Sequence, residues 1–351
     1  MSRKYRTGSR AWRRKKRRLL LRRAGLLLCA VALLTAAVYF GLSWAVSRGD
    51  NEPLQNESAP QQSPVDSVPD QPEVPTLTVD DTVQEMGSFI DAKYAVLVDV
   101  TEGRIVAQKA PDTRSYPASI AKIMTLLVSV EHIEDLEDTF EVTYAITDPG
   151  YLQGASMAGF KNKEQVTMRD LLYGCILPSG ADATAALAHV VAGSEEAFAD
   201  LMNQKAEELG LENTHFSNAS GLHQGDFYTT PKDMALILMA AMENDTCRMV
   251  LCTDEYRTNK TPQNPDGLQL YSTLFSRMYG DEPEGATVIG GKTGYTYEAK
   301  HTMASYAEGE DGHDYVIVTM AGSNNYKATY DHINILSRYV GGATDGFYPK
   351  E

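Results

Sequence analysis

Three short groups of residues in this sequence carry side chains that could perform nucleophilic chemistry. The first is Ser119 with Lys122, at i and i+3 in the apolar stretch SYPASIAKIMTLLVSV, residues 115–130. A serine hydroxyl is a weak nucleophile until a neighbouring base takes its proton, and a lysine can be that base when burial lowers its pKa. Taken alone, the pair is more simply explained by a packed lysine whose ammonium group reaches water.

The second and third groups lie later in the chain and are weakly specific by themselves. Ser179 follows Pro178 in LLYGCILPSGADATAAL, where a Ser-Gly pair between two helical patterns is ordinarily a turn with a helix cap. Lys292, Thr293 and Gly294 lie in the strand-like run IGGKTGYT. The lysine could be an edge-strand charge that prevents aggregation of the sheet. Alternatively, the lysine and the threonine could place a cation and a hydroxyl beside a glycine that lets substrate approach the backbone.

The hydrophobic patterns predict the elements that would position these groups. YAVLVDV (94–100) and RIVAQKA (104–110) predict a β-hairpin joined by TEG. Helical patterns follow at 119–133, 167–174, 180–192, 194–209 and 231–243. Three strand-like runs come next, at 287–296, 301–309 and 314–322, and a final amphipathic helix is predicted over 327–340. This order predicts one α/β domain at 86–351, whose antiparallel sheet combines both ends of the sequence, with flanking helices and a helical subdomain.

The charge distribution separates an N-terminal region from this domain. Residues 1–23 hold 12 of the 32 Lys and Arg and no acid, so the rest has 20 basic against 47 acidic residues, a net charge of −27. Residues 24–46 are uncharged and as a helix would span about 35 Å, enough to cross a hydrocarbon core of about 30 Å. The basic flank predicts a cytoplasmic tail at 1–23, a transmembrane signal-anchor at 24–46 and an extracytoplasmic remainder.

Two other interpretations of the N-terminal region stay open. A cleaved signal peptide would account for AVS at 45–47, although its apolar core is usually only about 7–15 residues long. WRRKKRR could form a nucleic-acid-binding tail, but the strongly acidic remainder argues against nucleic acid as a partner. Residues 47–85, with six prolines between 53 and 75, predict a disordered acidic linker.

Nothing in the sequence indicates a metal or another cofactor. It contains neither a His-x-x-x-His pair nor a Cys-x-x-Cys pair. Outside the predicted span the cysteines are Cys175, Cys247 and Cys252, an odd number that indicates no disulfide framework. Cys247 and Cys252 could pair or remain free thiols.

Together and in order, the three groups resemble the Ser-x-x-Lys, Ser-x-Asn and Lys-Thr-Gly motifs of the penicillin-recognising serine peptidases. The chain as a whole is similar to the serine D-alanyl-D-alanine carboxypeptidases, the low-molecular-weight penicillin-binding proteins. The similarity extends from about 90 to 340 and includes YPASIAKIMT, MRDLLYGCILPSGADA, HFSNASGLHQGDFYTTPKDMA and GGKTGYTYEA. The resemblance implies a β-lactamase/transpeptidase-like α/β fold and a bacterial protein of the cell membrane.

The resemblance also implies the reaction. Ser119 would be the acylated nucleophile, Lys122 its general base, and Ser179 a relay that passes a proton to the leaving D-alanine. The substrate would be a peptidoglycan stem peptide ending in D-Ala-D-Ala, and the reaction would release its terminal D-alanine. β-Lactams would be substrate mimics that stall as acyl-enzymes.

The third motif would bind the substrate. By the same resemblance, Lys292 and Thr293 would hold the terminal carboxylate, Gly294 would admit the peptide, and the field of Lys292 would help keep the general base deprotonated. The backbone N–H groups of Ser119 and Tyr295 would form the oxyanion hole.

One position departs from the family pattern. The second motif usually ends in Asn, whose amide would contact both the substrate backbone and the catalytic lysine, but this chain has Ala181. Asp182 is adjacent, yet a neighbouring helical residue points about 100° away, so we do not expect it to substitute. A weakened penicillin-binding sensor or scaffold therefore remains an alternative, as does a D,D-endopeptidase or β-lactamase-like hydrolase. Asn218 is expected to be a structural loop residue of the site wall.

Overall fold

The computed structural model describes residues 77–278 and 280–345 of the 351-residue chain. The predicted cytoplasmic tail (1–23), the transmembrane segment (24–46) and the linker as far as residue 76 lie outside these residues. Within 77–278 and 280–345, no helix is both long and apolar enough to cross a membrane.

A six-stranded sheet combines strands from both ends of the described chain, as predicted. In chain order, the strands are β1 (Gln84–Glu85), β2 (Tyr94–Asp99), β3 (Arg104–Lys109), β4 (Thr139–Glu141), β5 (Gln165–Thr167), β6 (Glu255–Arg257), β7 (Gln269–Tyr271), β8 (Ala286–Thr296), β9 (Lys300–Gly309) and β10 (Asp314–Gly322). The order in the six-stranded sheet is β1-β3-β2-β10-β9-β8, and the antiparallel pairing of β2 with β10 joins the N-terminal hairpin to the C-terminal strands. Because β1 pairs parallel with β3, the sheet is mixed and not purely antiparallel as predicted.

Residues 77–85, predicted as the end of the linker, belong to the folded part. Thr78 forms a parallel bridge with Arg104, and the two residues of β1 pair with Ala107 and Gln108. Met86 follows with only 4% of its surface exposed. The polar composition of this segment hid the pairing, because an edge strand needs backbone hydrogen bonds and not an apolar face.

Helices fill the middle of the chain and cover the sheet. They are α1 (Lys122–His132), α2 (Tyr144–Leu152), α3 (Met168–Ile176), α4 (Ala181–Ala192), α5 (Glu195–Glu208), α6 (Pro231–Glu243), α7 (Asp245–Leu251), α8 (Thr273–Met278) and α9 (Asn325–Tyr339). The structure confirms the predicted helices α1, α3, α4, α5, α6 and α9. Sequence patterns missed α2, which contains Pro149 and Gly150, and the short helices α7 and α8. They also missed the β4–β5 and β6–β7 ribbons.

Helix α1 lies at the centre of the larger core. Its residues from Lys122 to Ser129 are all buried, and Ile123 and Leu126 belong to the same apolar cluster as Phe198 and Val316. On the other face of the sheet, Ile335 of α9 packs in a second cluster. Complete burial of one such side chain contributes roughly 1.5–3 kcal/mol. The core therefore holds α1 rigidly, and with it the first candidate motif.

Candidate active site

Ser119 lies on a tight turn that fixes its position relative to Lys122. The 3-10 turn Ala118–Ala121 continues directly into α1, and residues i and i+3 of such a turn eclipse each other. Lys122 Nζ lies 3.3 Å from Ser119 Oγ. Ala118 has a positive φ of 52°, a conformation that costs about 1–3 kcal/mol and persists only where the surroundings impose it. Thr302 Oγ1 contributes by donating to Pro117 O at 2.8 Å, which ties the turn to β9.

Lys122 has the burial expected of a lysine that acts as a base. Its surface is 2% exposed, and burial lowers its pKa to about 8. Nζ donates to the carbonyl oxygen of Ser220 as well as to Ser119 Oγ. Within the described part of the chain, no carboxylate forms an ion pair with Lys122. The apolar core therefore makes the neutral amine of Lys122 more accessible than that of an exposed lysine.

Asn218 shapes the loop that presents the Ser220 carbonyl. Its Oδ1 accepts from the backbone N–H groups of Ser220 and Gly221 at 3.1 and 2.8 Å, and its Nδ2 donates to Leu222 O at 2.9 Å. Gly221 has φ +82°, and a Cβ there would lie 2.1 Å from Ala118 O. These contacts agree with the structural role expected for Asn218, because its side chain is used within the loop.

Ser179 lies in a strained connection between α3 and α4. Its φ is +64°, in the left-handed region that non-glycine residues rarely adopt. Its Oγ is buried and has no hydrogen-bond partner among the described residues. A buried hydroxyl without a partner is costly, and such strain is typical of functional positions. The hydroxyl is therefore available to a bound ligand.

Strand β8 forms the opposite wall of the site and approaches the serine closely. A Cβ at Gly294 would lie 2.8 Å from the backbone N of Ser119 and 2.4 Å from Thr302 Oγ1, so only glycine permits this approach. Thr293 Oγ1 donates to Thr273 Oγ1 at 2.9 Å. β8 is the end strand of the sheet, so its other edge is free of strand partners among the described residues.

Lys292 belongs to the same strand, but it is not among the residues that line the cavity. It is 1% exposed, and its Nζ donates to Thr293 O at 2.8 Å. Burial lowers the pKa of Lys292 well below its ordinary range, and repulsion from Lys122 lowers it further. A Lys292 cation would therefore act on a ligand through its field and through the polarised Thr293 peptide.

One cavity of about 480 Å³ brings most of the sequence-predicted residues together. Ser119, Lys122, Ser179, Thr293, Gly294 and Tyr295 all line it. A larger cavity of about 680 Å³, beside Phe275 and Val288, has no lysine, histidine or cysteine among its described lining residues. The candidate nucleophile and its candidate base therefore both lie on the smaller cavity.

The cavity also contains residues that the sequence analysis did not identify. Arg277 of α8 lines it, forms no ion pair among the described residues, and has a pKa lowered by burial. Thr273 lines it from the start of the same helix, and Gln153 and Ser156 line it from the segment after α2. No motif marks these positions, because an isolated Arg or Gln between short elements has no periodic signal.

Ala181 and Asp182 have the separate roles that the sequence analysis expected. Ala181 lines the cavity with a methyl group only. Asp182 is 1% exposed, and its carboxylate accepts backbone N–H bonds at 2.8, 2.9 and 3.1 Å from Ala158, Gly159 and Phe160. Because these bonds use both carboxylate oxygens, Asp182 does not replace an amide at position 181.

Known proteins resemble this chain in both sequence and architecture. Residues 80–324 match the model of the S11 peptidase family, described as D-alanyl-D-alanine carboxypeptidase. The chain is 31% identical over 219 residues to D-alanyl-D-alanine carboxypeptidase DacF of Bacillus subtilis, covering 62% of this chain and 54% of the relative. It is 31% identical over 247 residues to DacA of Escherichia coli, covering 68% and 58%.

A solved structure also resembles this chain. The Streptomyces K15 DD-transpeptidase superimposes with a TM-score of 0.66 at 30% identity, covering 72% of this chain and 98% of that one. The chain spans somewhat more than half the length of the curated relatives above, 54% and 58%. The similarity therefore covers the fold and the motif-bearing residues.

Proposed function

This chain belongs to the D-alanyl-D-alanine carboxypeptidase family, and we propose that it is a serine D,D-carboxypeptidase acting on peptidoglycan stem peptides. The observation that carries the proposal is the pair Ser119 and Lys122, with Nζ 3.3 Å from Oγ and a lysine pKa lowered to about 8 by burial. A base is most effective when its pKa lies near the working pH. An ordinary surface lysine would be protonated and could not take the serine proton.

The proposed reaction is acyl transfer to water. Ser119 Oγ attacks the carbonyl carbon of the penultimate D-alanine while its proton passes to Lys122 Nζ. Collapse of the tetrahedral intermediate breaks the peptide bond, and the proton reaches the leaving amine of D-alanine through the hydroxyl of Ser179. Water then attacks the ester, gives one proton to Lys122, and releases the shortened peptide as Ser119 regains its hydrogen. The partnerless Oγ of Ser179 on the same cavity supports its assignment as the relay.

The oxyanion hole would use backbone N–H groups from two walls. We assign it to Ser119 and Tyr295, because the glycine at 294 lets β8 lie against the backbone N of Ser119. Loss of one such donor typically costs about 3–4 kcal/mol of transition-state stabilisation.

The carboxylate of the terminal D-alanine would bind at the β8 side of the cavity. Thr293 and Thr273 offer hydroxyl groups there, and Arg277 offers a guanidinium group that has no carboxylate partner among the described residues. A bound carboxylate would favour the charged form of Lys292, and that charge would in turn disfavour a proton on Lys122. Substrate binding would thus support the base.

A labelled penicillin and a pentapeptide ending in D-Ala-D-Ala test the proposal. Wild-type protein should form a covalent penicillin adduct and release D-alanine, and Ser119→Ala should do neither. Absence of a Ser119-dependent adduct would refute the family mechanism. An adduct without D-alanine release would favour the second candidate, a penicillin-binding sensor, for which the methyl group of Ala181 in the cavity is the supporting observation.

We also propose that the N-terminal region anchors the protein in the cell membrane, with the folded domain on the outer side. Its support is the sequence alone: the basic residues 1–23 precede 23 uncharged residues at 24–46. Full-length protein should then sediment with membranes, resist carbonate extraction and dissolve in detergent. Recovery of the full-length chain in the soluble fraction would refute the anchor.

A further inference from the structure

The methyl group of Ala181 leaves the substrate without a partner that the family pattern would provide. By the family pattern, a carboxamide at this place would bind the backbone amide of the acyl part of the substrate. The carboxylate of Asp182 is occupied by backbone N–H groups of the segment 158–160 and of Ala183. A peptide group that enters a cavity without a hydrogen-bond partner loses binding energy. The inference about what replaces this partner rests on the proposed function, since it concerns how the proposed substrate is held.

The end of α2 packs directly against Ala181. A Cβ built on Gly150 would lie 2.9 Å from Ala181 Cβ and 3.3 Å from Met157 Sδ. The backbone N of Ala181 donates to Ser156 O at 2.8 Å. The last turn of α2 and the segment that follows it are therefore fixed beside the position where the carboxamide is missing.

Gln153 caps the end of α2 and is one of the residues that line the cavity. It follows Gly150 by three residues, so both lie on the same face at the end of α2. The residue is exposed to solvent. Of the described residues that line this cavity, Gln153 alone carries a carboxamide, and no hydrogen bond of that group is formed in the described part of the chain. A carboxamide without a hydrogen-bond partner among the described residues thus lines the cavity, three residues after the glycine that packs against Ala181.

We propose that the side chain of Gln153 replaces the missing carboxamide of position 181 and binds the backbone amide of the acyl part of the substrate. The chemistry matches, because a glutamine offers the same donor and acceptor as an asparagine. Its extra methylene allows it to reach from the neighbouring wall. Gln153 is then a substrate-binding residue that lets the enzyme work with alanine at 181.

A double-mutant cycle on the full-length chain tests the proposal. The readouts are kcat/KM for D-alanine release from a peptide ending in D-Ala-D-Ala, and the second-order rate of Ser119 acylation by benzylpenicillin. Gln153→Ala should lower both about ten-fold, as expected for one hydrogen bond to substrate. Gln153→Glu should also lower both rates, because it keeps the shape and loses the donor.

The decisive variant is Ala181→Asn, which restores the carboxamide at its usual position. In that background Gln153→Ala should cost less than about two-fold, because the two carboxamides serve one subsite. Gln165→Ala, on β5 and outside the cavity lining, should behave as wild type. Equal urea midpoints for wild type and Gln153→Ala would show that the fold is kept.

The outcomes separate this inference from the proposed function. Losses from Gln153→Ala that are equal in the Ala181 and Asn backgrounds, or below two-fold in the Ala181 background, would overturn the inference. Wild-type protein that is acylated but releases no D-alanine would refute carboxypeptidase activity, and the acylation rates would then decide the role of Gln153. Wild-type protein that shows neither reaction would refute both.

Discussion

The lowered pKa of the buried Lys122 allows a quantitative prediction about the stability of the folded chain. Replacing Lys122 by Met removes an amine whose pKa is lowered by burial and keeps the approximate length of the side chain. In the wild type, folding must either bury the charged ammonium group or release its proton. The stability of the wild type relative to Lys122→Met should therefore depend on pH, in the range where Lys122 is neutral when folded and protonated when unfolded.

The size of the effect follows from the two pKa values. Burial lowers the pKa of Lys122 to about 8 in the folded chain, against 10.5 for an ordinary lysine. Below pH 8 both states bind the proton and the penalty is present in full. As pH rises from 8 to 10.5, the unfolded state binds more protons than the folded state, so the free energy of unfolding increases. Between pH 7 and pH 10 the wild type should gain about 2 to 3 kcal/mol relative to Lys122→Met.

Urea unfolding at pH 7 and pH 10 measures this difference. The quantity to compare is the gap in unfolding free energy between wild type and variant, because other titrating groups cancel in it. Loss of the lysine's hydrogen bonds to Ser119 and Ser220 shifts the variant by a similar amount at both pH values. Lys260→Met, at an exposed position, is the matched control and should show the same gap at both. A gap for Lys122→Met that changes by less than about 1 kcal/mol would refute the burial argument.

Four further results are expected. Because only neutral Lys122 takes the serine proton, kcat/KM should rise with pH and level off above a midpoint near 8. Asp182→Ala should lower the unfolding free energy by roughly 3 kcal/mol, since four backbone N–H groups lose their acceptor. Gly294→Ala should slow penicillin acylation about 100-fold or more by moving β8 away from the serine. His332 is buried, and burial lowers its pKa to about 3, so its neutral form is the one that folds and about 2 kcal/mol of stability should be lost between pH 7 and pH 5.

Each result has a measurement and an outcome that would contradict it. A pH-independent kcat/KM between 6 and 9 would remove Lys122 as the base. Urea midpoints would show whether Asp182→Ala behaves like a surface change, for which Asp148→Ala in an exposed position is the control. A normal acylation rate for Gly294→Ala would mean that the close approach of β8 is dispensable. Retention of the wild-type acid sensitivity in His332→Asn would assign that sensitivity to other groups.

The sequence by itself predicted the longer elements of the fold and the residues of the three motifs. The apolar, β-branched runs of β2 and β3 and the apolar helix α1 could be recognised because their patterns are strong and local. Helix α2 was not readable, because Pro149 and Gly150 interrupt its pattern and its end is exposed. The same holds for β1, whose two residues are held by backbone pairing with β3 alone.

The tertiary structure decided which side chains reach the cavity. Sequence order could not show that Lys292 is buried without lining the cavity, or that Asp182 binds the segment 158–160. It also could not bring Gln153 and Arg277 into one cavity with Ser119. These facts depend on contacts between residues far apart in the chain, which no local periodicity encodes. The lowered pKa of Lys122 combines both levels: its apolar neighbours are visible in the sequence, and its complete burial comes from the elements packed around α1.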